Sequence, residues 1–130
     1  MDAFRRAVEA HDAQALTALL ADDVRFTSPV VFKPYEGKAI TAAILRAVLT
    51  VFEDFRYLRV ISSADGRDHA LVFEAQVDGR TVNGCDFLHV NDAGLIDDFA
   101  VMVRPLSGAQ ALAAAMGPKF DAILAEVSAS

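Results

Sequence analysis

One cysteine, Cys85, stands among 130 residues. No intramolecular disulfide can form, and that usage suits a reducing compartment. Metal-ligand spacing is missing too. His11, His69 and His89 have no second His or Cys at chelating distance along the chain, and Asp22–Asp23 and Asp97–Asp98 read as solvated turn residues. No metal and no cofactor is expected. The longest apolar stretch, Ile40 to Phe52, carries Arg46 and is too short for a bilayer. The opening Met1–Asp2–Ala3–Phe4–Arg5–Arg6 lacks the apolar core of a secretory signal. The expectation is a soluble, cytoplasmic protein without membrane contact. There is no basic stripe: nine arginines are scattered and the net charge is −6, which argues against nucleic acid as a partner. Repeats, linkers and low-complexity tracts are absent, and 54% of residues are hydrophobic. One domain over residues 1–130 with a real core follows.

What is present is ordered by periodicity. Ala3, Ala7, Val8 and Ala10 repeat at helical spacing up to His11. Asp12 suits the N-cap of a second helix carrying Leu16, Leu19 and Leu20. A short extended piece, Val24–Ser28, stops at Pro29. The loop to Gly37 is apolar for a surface connection, with Phe32 and Tyr35 at the mouth of the fold. Gly37 opens a long helix to about Phe52. Strand-like runs follow at Phe55–Ser62, His69–Val77, Arg80–Val90 and Leu95–Val103, parted by turn residues and expected to pair as antiparallel hairpins. Ser107–Gln110 reads as a capping box for a tail helix at about 107–127, which Gly117–Pro118 should interrupt. Helices followed by a meander of long strands predict an α+β fold: a cone-like, curved antiparallel sheet wrapped around the N-terminal helices.

Asp86 is the residue that points to chemistry. Strand alternation puts it on one face with Val82, Gly84, Leu88 and Val90. If that face is interior, a lone acid stands among hydrocarbon and needs a partner or keeps its proton near neutral pH. Backbone, a buried water or Arg104 would satisfy it structurally. Leu71, Phe73, Ala75, Val77, Phe99, Val101 and Val103 share that interior by the same parity. Val72, Phe87, His89 and Met102 fall on the outer face, which is apolar for a monomer and implies an interface. Cys85 points away from Asp86, with no base near it in sequence to favour the thiolate.

The stretches Ala10–His11–Asp12 and Leu16–Val24, with Pro29, Gly37 and Asp86–Ile96 at fixed offsets, resemble the nuclear-transport-factor-2-like superfamily. Within it they are most similar to the branch of ketosteroid isomerases and SnoaL-like polyketide cyclases. The resemblance covers most of residues 4–104. The tail resembles those of SnoaL-like proteins of unassigned function. It implies a cystatin-like α+β barrel, and a homodimer formed back to back through Val72, Phe87, His89 and Met102. It also places Asp86 where the isomerases hold a protonated aspartate against the developing oxyanion. Three further polar positions of the isomerases are replaced. Phe4 stands for the oxyanion tyrosine, Ser28 for the general base and Leu45 for a supporting tyrosine. Steroid isomerisation by the family mechanism is therefore not expected.

The reading is a binder of a small apolar carbonyl compound in a cone-shaped pocket. Asp86 is its acid or hydrogen-bond donor, in a cyclisation, isomerisation or dehydration. The expected walls are Phe4, Phe26, Ser28, Tyr35, Leu45, Phe73, Leu88, Phe99 and Val101. A non-catalytic ligand-binding or dimeric scaffold protein fits the same residues. For Ser28 the alternative is a serine that prepares the turn at Pro29. For the tail it is a lid or plain packing.

Overall fold

The computed structural model describes residues 1–129. Three short or medium helices and two strands come first: α1 (Asp2–Glu9), α2 (Ala13–Ala18), β1 (Leu20–Thr27), β2 (Tyr35–Glu36) and α3 (Lys38–Val51). Four long strands follow, β3 (Glu53–Ser62), β4 (Asp68–Val77), β5 (Arg80–Val90) and β6 (Ile96–Arg104), and α4 (Leu106–Ala129) closes the chain. The Asp12 carboxylate caps α2 by accepting from the amide of Ala15 at 3.0 Å.

The six strands form one sheet in the order β2-β1-β6-β5-β4-β3. The hairpins β3–β4, β4–β5 and β5–β6 are antiparallel. The sheet as a whole is mixed, which departs from the all-antiparallel expectation: β1 runs parallel to β6. Those two strands are joined by no turn, so no local signal announces their pairing. The two-residue β2 pairs with β1 in the loop that periodicity left unassigned.

The period-2 pattern decides which face is buried. Leu71, Phe73, Ala75 and Val77 of β4 are at most 1% exposed, while their neighbours alternate outward. The helices cover this face, and α1, α3 and α4 pack their apolar sides into one cluster with it. Thr41 to Leu45 are all buried, because α3 is packed against β1, α2 and α4. The tail is one helix, uninterrupted at Pro118. A proline inside a helix removes a hydrogen bond and crowds the preceding turn. Here Leu112 and Met116 before it, and Ile123 after it, are all buried, so both halves are held in register by packing. Among the described residues no helix is long and apolar enough to cross a membrane.

Candidate functional site

Asp86 lies mid-strand on β5, opposite Leu71 of β4 and Val101 of β6. It is 6% exposed. Its partner is none of the groups anticipated for it: the hydroxyl of Tyr57, on β3, reaches over β4 and donates to Asp86 Oδ2 at 2.7 Å. Arg104 instead donates to Asn83 on the exposed side. Burial disfavours the ionised carboxylate and pushes Asp86 from the usual 3.8 to about 7, with the Tyr57 hydrogen bond pulling the other way. Tyr57 is pushed well above the ordinary phenol value, first by burial and then by the charge of Asp86. It therefore stays a donor throughout the physiological range. Among the described residues Asp86 Oδ1 has no hydrogen-bond partner.

The carboxyl faces a cavity of about 60 Å³. Phe4 and Val8 of α1, Leu45, Val48 and Leu49 of α3, Phe99 and Val101 of β6 and Leu112 of α4 supply hydrocarbon walls. Phe26, Phe52 and Phe55 complete the aromatic side, and Tyr57, Asp86 and His11 are the polar lining. The Tyr57 ring is held edge-on against Phe55, at a centroid distance of 4.9 Å, and lies 6.4 Å from Phe4. A volume of 60 Å³ is about that of two waters in the liquid. A larger depression of about 810 Å³ lies on the other face of the sheet, lined by Arg25, Phe87, His89 and Asp97, and Asp86 does not reach it. His89 there bonds Asp97 at 2.7 Å.

Five of the residues expected as walls, Phe4, Phe26, Leu45, Phe99 and Val101, line the cavity with Asp86. Four do not. Ser28 is engaged locally, its Oγ accepting from the amides of Val30 and Val31 at 3.1 and 3.0 Å, which is turn chemistry. Tyr35, on β2, packs its ring 5.8 Å from Phe120 of α4. Phe73 stacks behind the wall on Phe55, at 4.8 Å. Leu88 is 2% exposed and belongs to the core.

Two polar residues escaped the sequence reading. Tyr57 was legible as an inward position of the Phe55–Tyr57 alternation, but nothing local ties it to an acid two strands away. His11 closes the first helical hairpin with φ +54 and stands at the cavity lining while remaining exposed. Phe4 of α1 brings no hydroxyl to the cavity, and the phenol that lines it belongs to Tyr57 of the sheet. Among the described residues no three His, Cys, Asp or Glu side chains are grouped to hold a metal ion.

The family model for the SnoaL-like domain matches residues 1–99. The chain belongs to the SnoaL-like domain family. A solved structure named as a steroid delta-isomerase, from Pseudomonas aeruginosa, is 45% identical, with a TM-score of 0.88 over 94% of this chain and 89% of that one. A cystatin-like protein from Silicibacter pomeroyi is 37% identical, with a TM-score of 0.86 over 91% of this chain and 82% of that one. The epoxide hydrolase/cyclase-like enzyme SalBIII, with a role in pyran ring formation in the polyether salinomycin, shares the fold at 18% identity. Its TM-score is 0.67, over 81% of this chain and 87% of that one. No curated protein matches the chain at a significant level. The SnoaL-like domain described here thus has the cystatin-like, nuclear-transport-factor-2-like α+β fold, whose members include isomerases and cyclases.

Proposed function

We propose that this SnoaL-like domain binds the carbonyl end of a small apolar compound at Asp86 and moves a proton on it. An isomerisation, cyclisation or dehydration is the result. The observation that carries this reading is Asp86 itself: a buried acid, open at Oδ1 to an apolar cavity, with a pKa of about 7. An acid–base group works best when its pKa is near the ambient pH. Protonated Asp86 donates from Oδ1 to the carbonyl oxygen. Ionised Asp86 takes a proton from the carbon beside that carbonyl. One carboxyl thereby acts in both directions, which makes a second base at Ser28 unnecessary. Tyr57 stabilises the ionised form by its hydrogen bond and fixes the carboxyl plane. By analogy with oxyanion-hole donors, such a group lowers a barrier by about 2–4 kcal/mol. The name of the 45% identical structure supports proton transfer next to a carbonyl, whereas the cavity of about 60 Å³ supports a reacting end far smaller than a steroid.

Asp86→Asn tests the reading. It keeps the shape and an acceptor for Tyr57, but can neither take nor release a proton. Loss of at least a hundredfold in turnover is expected on a ligand found by native mass spectrometry of protein from its own host. Unchanged turnover overturns the assignment. One observation favours a second reading, a ligand-binding or dimeric scaffold without chemistry: the cavity is well under the ~300–1,000 Å³ usual for ligand pockets. Under that reading Asp86→Asn changes affinity or assembly and nothing is turned over.

The outer sheet face is the proposed homodimer surface. Phe87 and Met102 are 41% and 63% exposed there, beside Val72 and His89, and a symmetric pair would bury them. Sedimentation velocity on Met102→Glu should show monomers if this holds. The free Cys85 supports residence in the reducing cytoplasm.

A further inference from the structure

The Asp86 cavity shares part of its wall with the protein surface. His11 and Leu49 also line a surface groove of about 650 Å³ between α3 and α4. The charged side chains of that groove are Arg46, Lys119 and Glu126. Arg46 is ion-paired with Glu126. Lys119 has no carboxylate in salt-bridge range among the described residues, and the His11 imidazole has no side-chain hydrogen bond among them. The groove is therefore a cationic spot on a protein of net charge −6, placed at the edge of an apolar cavity that ends in an acid.

This division resolves the size of the site. The inner hollow accepts only a few heavy atoms, so most of any larger ligand must lie outside it. We propose that the ligand is a carbonyl compound with an anionic tail: its carbonyl end enters the cavity at Asp86, and its carboxylate-like end lies in the outer groove against Lys119 and His11. The inference rests on the reading of Asp86 given above and adds the substrate class. A second depression shares Pro29 and Val101 with the cavity and is lined by Thr27, Ser28 and apolar side chains, with no charge. It is the route a neutral tail would take.

The test uses matched probes. Linear methyl ketones ending in a carboxylate, with two to eight methylenes between the groups, are compared with neutral methyl ketones of equal length. Binding is followed by amide NMR titration of the labelled full-length protein. At one length or more, the acid should bind about threefold tighter than its neutral match, and the advantage should shrink in added salt. In Lys119→Gln the ratio of affinities should return to about one. Equal affinity at every length, or a ratio that survives Lys119→Gln, overturns the anionic tail and leaves the Asp86 reading standing. If neither series shifts the amides around Asp86, both fail together.

Discussion

A Cβ built on Gly84 would stand 2.2 Å from Cζ of Phe73. The two residues face each other across β4 and β5, so the phenyl ring fills the space that any side chain at 84 would need. Phe73 in turn stacks on Phe55, which braces Tyr57. A glycine in mid-strand is weak for the sheet in itself, and here it allows a ring to approach the backbone closely. Gly84→Ala should displace Phe73 and lower stability by about 1–3 kcal/mol. The urea midpoint would show it. Adding Phe73→Leu should recover part of the loss, the remainder arising from the Met102 carbonyl 2.7 Å away.

Asp86 makes stability depend on pH in an unusual direction. Its pKa is raised in the folded state, to about 7 from 3.8, so the folded form holds the proton more tightly than the unfolded form. The favourable contribution is complete below pH 4 and is lost as pH rises towards 7, beyond which the curve is flat. The full effect is on the order of 4 kcal/mol. Urea unfolding from pH 4 to 9 should show this slope in the wild type and not in Asp86→Asn, which should be the more stable protein at pH 8. Tyr57→Phe removes the bond that lowers the Asp86 pKa. The carboxyl should then titrate higher, as read by ¹³C NMR.

Leu112 is 2% exposed and is the contribution of α4 to the cavity wall. Leu112→Ala should destabilise the fold by about 2–5 kcal/mol, depending on how far the neighbours collapse. It should also widen the hollow beside Asp86. Branched ketones excluded by the wild type should then produce NMR shifts there.

Pro118 sits inside α4, where a proline is about 3 kcal/mol less favourable than alanine. Pro118→Ala should raise stability by up to that free energy, read as a higher melting temperature. A lower melting temperature would mean that the ring makes a packing contribution in the groove larger than the backbone penalty.

Much of the architecture was readable because alternation is a local property. The inward set on β4, the burial of Asp86 and the boundaries of β5 all follow from a period of two. Gly37 opening α3 and Asp12 capping α2 follow from single-residue chemistry. What escaped is long-range. The parallel pairing of β1 with β6 joins strands far apart in sequence, and the Tyr57–Asp86 bond spans an intervening strand. Ser28 was legible as turn chemistry from the proline beside it, and its Oγ accepts from the amides of Val30 and Val31 and does not line the cavity. Cavity volume depends on how side chains interlock, which neither pattern nor composition expresses. Helix α4 passes through Pro118 for a related reason: tertiary burial on both sides of the residue outweighs a local preference.

The acid is mounted on a central strand while the surrounding wall is borrowed from α1, α3, β6 and α4, so under the proposed function reactivity and selectivity would reside on separate parts of the chain. Substitutions at Phe4, Leu45 or Leu112 could reshape what is admitted without shifting the Tyr57–Asp86 couple. A scaffold divided in this way would, under that reading, be able to change its guests many times while keeping one carboxyl.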